Sequence, residues 1–594
     1  MAEIKRGYRI SDIYQGGYSS LVPSQNIYGG YLTAGNFGMT TDPRSANILQ
    51  EVSTKLSSGV KHIEVEGVSP EIFDSIPTQQ LKEVNRLSKL TGVDVSLHGP
   101  VMDVSGISQQ GFSETDRENA ERRVENVLLR SHELNPEGNI PVNFHSAEGI
   151  PGSQFLPPSK RKEGEKYRKL IVVNRETGKL APLEPEVEHY PGMKELEKGG
   201  YRTPEKRREN LNETEWNNSI SHVIFSKDRV DQILEENRVF IEPLLQDIYA
   251  GRIEDINSIK SPTAQQALRR VRLAQDYLDE VYKQVNALFS KAYEFGTEEQ
   301  KNELKKLSES FKKDLEENKD PIYGQSKAMD NFIHKLKEPV YTPEMYVPIE
   351  KFATEKSSET FGNAAWEAYK KYKNKSPILT IENPPAGFAL STGEDVRNIV
   401  EESRKQFMEK AVAGGLSEGE ARKQAEKLIG ATWDVGHINM LRKFGYKEED
   451  IIKETEKIAP LLKHVHLSDN FGFEHTELPM GMGNVPLKEM MKKLGEKGYE
   501  ARKIIEAASW WQHWKTPPFE ETLEAIGSPV YSMEMAPYWS QATGLYQGYF
   551  SGFGQMLPQI NYETFGAGFS RLPAELGGQV QGAQGSRMSG RPME

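Results

Sequence analysis

Short apolar runs alternate along this chain with segments whose apolar positions recur at three- and four-residue steps. The runs are KHIEVEGV, VDVSLHGP, IPVNFHS, ILTIENPP, GATWDVGH, KHVHLSD and KIIEAAS, preceded by a further strand expected over Tyr31 to Met39. Between them, SANILQEVSTKLSSG spaces Ile48, Leu49, Val52 and Leu56 on one helix face and stops at Gly59. TQQLKEVNRLSKLTG, SETDRENAERRVENVLLRSHEL, DVRNIVEESRKQFMEKAV, EGEARKQAEKLIG, KEEDIIKETEKIAPLL and PLKEMMKKLGEKGY read the same way. A strand period that gives way repeatedly to a helical one predicts a parallel sheet with helical crossovers. Eight strands make the expected fold an α/β (β/α)₈ TIM barrel.

The alternation stops after IPVNFHS. From Pro151 to about Arg208 the chain is rich in Lys, Arg, Glu, Pro and Gly, the composition of a long irregular loop. Long polar helices follow from about Ser226 to Glu338, with Leu268, Val271, Leu278, Val281, Val285 and Leu288 spaced to pack as a bundle. The expected organisation is an N-terminal arm over 1–30, the first half of the barrel over 31–150, and a loop and mainly helical insertion over 151–356. The second half of the barrel takes 357–515, and a C-terminal extension with a Gly- and Gln-rich tail takes 516–594. An insertion after the fourth strand rises from the face where TIM barrels carry their chemistry, which makes it a candidate lid.

Composition narrows the chemistry. At 594 residues the chain exceeds a barrel of about 250 residues, so the insertion accounts for much of the excess. There is no cysteine, so disulfides and thiolate metal ligands are excluded and any metal must sit on N and O donors. The start, MAEIKRGYRISDIYQGG, lacks the apolar core of a signal peptide, and no run reaches the ~18 apolar residues of a membrane span, so a cytoplasmic location is expected. A formal charge of −12 argues against broad attraction to nucleic acid. A local basic patch is open at Lys160, Arg161, Lys162, Lys166, Arg168 and Lys169. Oligomeric state is not legible.

The candidate chemistry lies where the apolar runs end: His98, His145, Glu382, Asp434 with His437, His466 and Glu506. A barrel gathers the C-terminal ends of its strands into one pocket, so these imidazoles and carboxylates would meet as a multinuclear metal site. A Glu can bridge cations about 3.5 to 4 Å apart, the spacing of two-metal phosphoryl chemistry. Zn²⁺ suits this donor set, with Mn²⁺ or Fe²⁺ possible where carboxylates dominate. His464 shares a strand face with His466, of which His466 is favoured as the ligand. Asp469 reads as an orienting residue, and Trp510, Trp511 and Trp514 as an apolar wall or a rim cluster.

In order the strand ends read S-x-H-G-P, N-F-H-S, I-E-N-P-P-A-G, W-D-V-G-H, H-L-S-D, a distal E-H with P-M-G-M-G-N, and I-I-E. This series resembles the xylose-isomerase-like TIM-barrel superfamily, and within it most closely the endonuclease IV branch. The resemblance implies that His98 and His145 hold one zinc, that Glu382 bridges to a second held by Asp434, His466 and Glu506, and that His437 and His475 reach a third. The chain departs from the branch in carrying adjacent Glu474 and His475 where an Asp-x-His pair is usual, in HSAEG, and in the insertion. Glu382, Asp434 and Glu506 are the implied catalytic carboxylates. Three readings follow: a zinc-dependent phosphodiester hydrolase acting on abasic DNA; a divalent-metal isomerase or epimerase of a sugar or sugar phosphate, needing one metal on Glu382, Asp434, His466 and Glu506; and a non-catalytic assembly protein on a barrel scaffold.

Overall fold

The computed structural model describes residues 37–522, apart from 43–44, 46, 57–59, 68, 163–164, 190, 192–199, 250–258, 260, 318–320, 508–509, 511–517 and 520. The expected N-terminal arm, most of the C-terminal extension, Trp511 and Trp514 lie outside the described residues. Eight strands close into a barrel in sequential order: β1 (Phe37–Thr40), β2 (His62–Glu66), β3 (Asp94–His98), β4 (Pro141–His145), β5 (Ile378–Glu382), β6 (Ile429–Asp434), β7 (Leu462–Leu467) and β8 (Arg502–Ile505). All eight pairings are parallel, and β1 meets β8 through Phe37↔Lys503 and Gly38↔Ile504. The (β/α)₈ fold expected from the periodicity is the fold found.

Alternation along the strands sorts the side chains into two environments. Ile63, Val65, Leu97, Ile381, Trp433 and Val465 are fully buried in the apolar core. Each such side chain contributes about 1.5–3 kcal/mol. The alternate positions carry Glu64, Ser96, Asn143, Thr380, Thr432 and His464, equally buried but polar. The barrel interior is therefore lined by buried polar side chains, an unusual filling for a fold that normally stacks branched aliphatics there. Among the outer helices, Glu114–Ser131 is capped by the Ser113 hydroxyl accepting from the Asp116 amide, and Gly393–Ala413 by a reciprocal Thr392–Asp395 box. The helix before β5 starts at Ile349 rather than near Ser357, because Pro348 supplies an extended N-cap with Glu350 in the first turn.

The segment between β4 and β5 has two layers. Nearest the barrel, Gln154–Phe155, Tyr167–Asn174, Leu180–Leu183 and Tyr346–Pro348 form an antiparallel sheet, so the chain leaves and returns side by side, with Val347 opposite Val173. Ile171, Val173 and Val347 belong to the barrel's apolar core. Glu350, only 7% exposed, clasps the neck: its carboxylate accepts from the Ser153 amide at 2.6 Å and the Ser153 hydroxyl at 3.0 Å. Beyond the neck, helices Pro204–Tyr249, Pro262–Phe295, Glu298–Glu317 and Pro321–Leu336 surround a core of their own, with Trp216, Val271, Leu278, Val285, Leu304 and Phe332. No helix among the described residues is long and apolar enough to cross a membrane.

Candidate metal centre

Parallel register brings the strand ends to one level. Glu382 lies opposite His145, Glu66 opposite His98, and Asp434 opposite His466, while Glu506 follows directly on β8. Glu382 is fully buried at the centre. Its Oε2 lies 3.3 Å from His98 Nε2 and 3.7 Å from His145 Nε2, and it also accepts from the Asn143 amide. Its Oε1 lies 3.0 Å from His466 Nδ1 and 3.7 Å from His437 Nδ1. His466 Nδ1 is also 2.9 Å from Glu506 Oε1. Two groups result that could each hold an ion: His98, Glu382, His466 and Glu506, and Glu382, Asp434 and His437. Glu382 belongs to both.

The imidazoles are oriented from behind. His98 Nδ1 is 2.8 Å from the Gly99 carbonyl, His145 Nδ1 is 2.8 Å from Glu148 Oε2, and His437 Nδ1 is 2.7 Å from the Asn383 carbonyl. A nitrogen facing a carbonyl or carboxylate must carry the hydrogen, which leaves Nε2 of each ring as a lone pair aimed inward. Asp434 is held by the His437 amide at 2.7 Å and by the Ser468 hydroxyl. Gly436 is required in this turn, since a Cβ there would collide with the Ser468 hydroxyl.

Charge in the centre is balanced by protons. Burial alone would push Glu382 up, but His466, His98 and His145 hold it well below the usual carboxylate range. Burial disfavours charge on His98 and His466 too, yet Glu66, Glu382 and Glu506 around His98, and Glu382, Glu506 and Glu64 around His466, outweigh it and hold both well above the ordinary histidine range. Glu506 is pushed well up and Glu66 up to about 7, chiefly by burial. Metal ions would satisfy the same carboxylate charges, and the N and O donors suit Zn²⁺, Mn²⁺ or Fe²⁺.

Residues 417–527 match the family model described as a xylose isomerase-like TIM barrel. A stretch of 80 residues is 32% identical to an uncharacterised protein of Methanocaldococcus jannaschii, covering 14% of this chain and 26% of that one, so the chain spans about a quarter of that relative. Solved structures with some likeness include a D-tagatose 3-epimerase-like protein (13% identity, TM-score 0.33, 83% of this chain and 99% of that one). A D-psicose 3-epimerase from Clostridium cellulolyticum H10 crystallised with D-tagatose gives 9% identity and a TM-score of 0.35, over 84% and 97% of the two chains. At such overlap they say nothing of what this chain acts on.

Eight residues singled out from the sequence as ligands, His98, His145, Glu382, Asp434, His437, His466, His475 and Glu506, lie along one connected set of contacts. His475 reaches it through His437, Nε2 to Nε2 at 2.8 Å. Burial holds His437 neutral, down to about 4, so two imidazole edges meet there with Glu477 Oε1 at 3.5 Å from His475. Glu477 was missed: it stands two positions after His475 and faces that ring. Asn143 and Glu148 were also missed, although Glu148 stands three residues after His145 within HSAEG. Asp469 touches none of the candidate ligands directly; it pins the loop that carries His475 by accepting from the Asn470, Gly481 and Val485 amides. His464 turns from the strand-end cluster to Glu64, and Trp510 packs on the apolar core.

Proposed function

We propose that this chain is a divalent-metal isomerase or epimerase acting on a sugar or sugar phosphate. The observation that carries the reading is the pair Glu382 and Glu506, carboxylates from neighbouring quarters of the barrel, 3.0 and 2.9 Å from the same His466 nitrogen. Glu382, Asp434, His466 and Glu506 would hold a metal, which when bound polarises the hydroxyl and carbonyl oxygens of a substrate. Two carboxylates flanking one substrate carbon can remove a proton on one face and return it on the other. The match of residues 417–527 to the xylose isomerase-like TIM barrel model supports this reading.

A second reading, a metal-dependent phosphodiester hydrolase, is favoured by one specific observation: His98 and His145 both address the second oxygen of Glu382, a donor set that a one-metal isomerase does not need. Against DNA as substrate, cations of the candidate basic loop are engaged elsewhere, Arg161 with the Leu156 carbonyl and Tyr446, and Lys169 with Glu184. The experiment supplies Zn²⁺ and Mn²⁺ separately, counts metals per chain, and assays ketoses and ketose phosphates beside an abasic-site duplex. Epimerisation that chelation abolishes is expected. Nicking of the duplex with no turnover of any sugar would replace the first reading by the second.

A further inference from the structure

Behind the centre lies a buried carboxylate with no place in the chemistry above. Glu64, on β2, has no solvent exposure and reaches across the barrel interior to β7. Its Oε2 accepts from the Ser96 hydroxyl at 2.5 Å and faces His464 Nε2 at 2.9 Å, and the same hydroxyl lies 3.0 Å from His62 Nε2. Its Oε1 lies 2.9 Å from His466 Nε2 as an ion-pair contact, and both atoms are buried without a hydrogen-bond partner. The contact is short but off the ideal hydrogen-bond line. Burying a carboxylate costs several kcal/mol unless its partners repay it, and an aliphatic side chain would fill a barrel layer without that cost.

Comparison with the other imidazoles shows what the contact does. His98, His145 and His437 each have the outer nitrogen on a carbonyl or carboxylate, leaving the inner one as lone pair. His466 repeats the arrangement with the nitrogens exchanged: Nδ1 faces Glu382 and Glu506, and the atom behind it faces Glu64. We propose that Glu64 is a positioning residue that holds the Nε2–H of His466 and thereby presents its Nδ1 lone pair to the metal. Ser96 and His464 fix the far oxygen, so that the carboxylate cannot turn away from His466. Glu64 has no exposure to solvent and faces His466 directly.

The inference rests on the reading of the centre as a metal site, and one experiment separates the two. The full chain is freed of metal and titrated with Co²⁺ and Zn²⁺ against a chromophoric chelator, recording the Co²⁺ visible spectrum and the thermal midpoint of the metal-free protein. Glu64→Gln should lose about 10–100-fold in affinity and shift the Co²⁺ spectrum, with the metal-free midpoint unchanged or raised. A folded Glu64→Gln chain with wild-type affinity and spectrum overturns the proposal. If that variant does not fold, Ser96→Ala keeps the charge but frees the far oxygen. It should lose affinity by a smaller factor with a spectral shift, and wild-type behaviour there overturns the proposal as well. A wild-type chain that takes up no Co²⁺ would sink the metal reading itself, and this inference with it.

Discussion

Glu350→Gln should abolish a pH-dependent weakness at the neck of the insertion. Glu350 is buried, and burial together with the neighbouring charge of Asp395 pushes its carboxyl up to about 7 from an ordinary 4.5. Because the folded state holds this proton more tightly than the unfolded chain, its contribution is fully present below the unfolded value and is lost as pH rises through 7. At about 1.4 kcal/mol per pH unit, the loss by pH 8 is roughly 3 kcal/mol. The amide of Gln can still accept from the Ser153 N–H, at a cost of about 1 kcal/mol for losing the charged acceptor. Wild type and variant should therefore be nearly equal at pH 5, and at pH 8 the variant should be more stable by roughly 1–3 kcal/mol. Urea unfolding of metal-free protein at several pH values, followed by a probe at the neck, measures this. Parallel pH profiles for the two chains would falsify the desolvation of Glu350 and with it the account of the clasp.

Other outcomes follow from the centre and the insertion. Glu382→Gln should lose activity and more than one metal ion, since its two oxygens face different histidines, and full occupancy by elemental analysis would end the bridging role. Glu477→Ala and His437→Ala should each remove at most one ion, while Glu474→Ala should leave the count unchanged; the reverse ranking would refute Glu477 as the acid that faces His475. Replacing residues 204–342 by a short flexible linker, with the neck strands kept, should leave a folded, metal-binding barrel, because the helices bury a separate core. Loss of metal uptake in soluble protein would show that the helices support the centre.

The strands and the ligands at their ends were legible because both obey local rules: a period of two, then a polar residue where the strand meets the pocket. Glu64 shows where such rules stop. Its place beside Glu66 on one face of a strand can be read from KHIEVEGV, but its partner His464 is 400 positions away, and only barrel closure brings them together. Glu477 failed for a different reason. Its loop is shaped by Asp469 gripping the amides of Gly481 and Val485, so adjacency in sequence was a poor guide to which acid faces His475.

The side-by-side exit and return of the insertion bears on how the chain finds its fold. Asn143 and Glu382, which must meet, are separated by 239 positions, a closure whose entropic cost grows with the logarithm of length. Pairing of Tyr167–Asn174 with Tyr346–Pro348, locked by Ser153 and Glu350 across 197 positions, brings the ends of β4 and β5 close before they pair. At about 0.6 kcal/mol per doubling of loop length, a neck formed first lowers the remaining closure cost by on the order of 1–2 kcal/mol. The neck's own closure spans 197 positions, so the insertion divides one long-range closure between two neighbouring pairings.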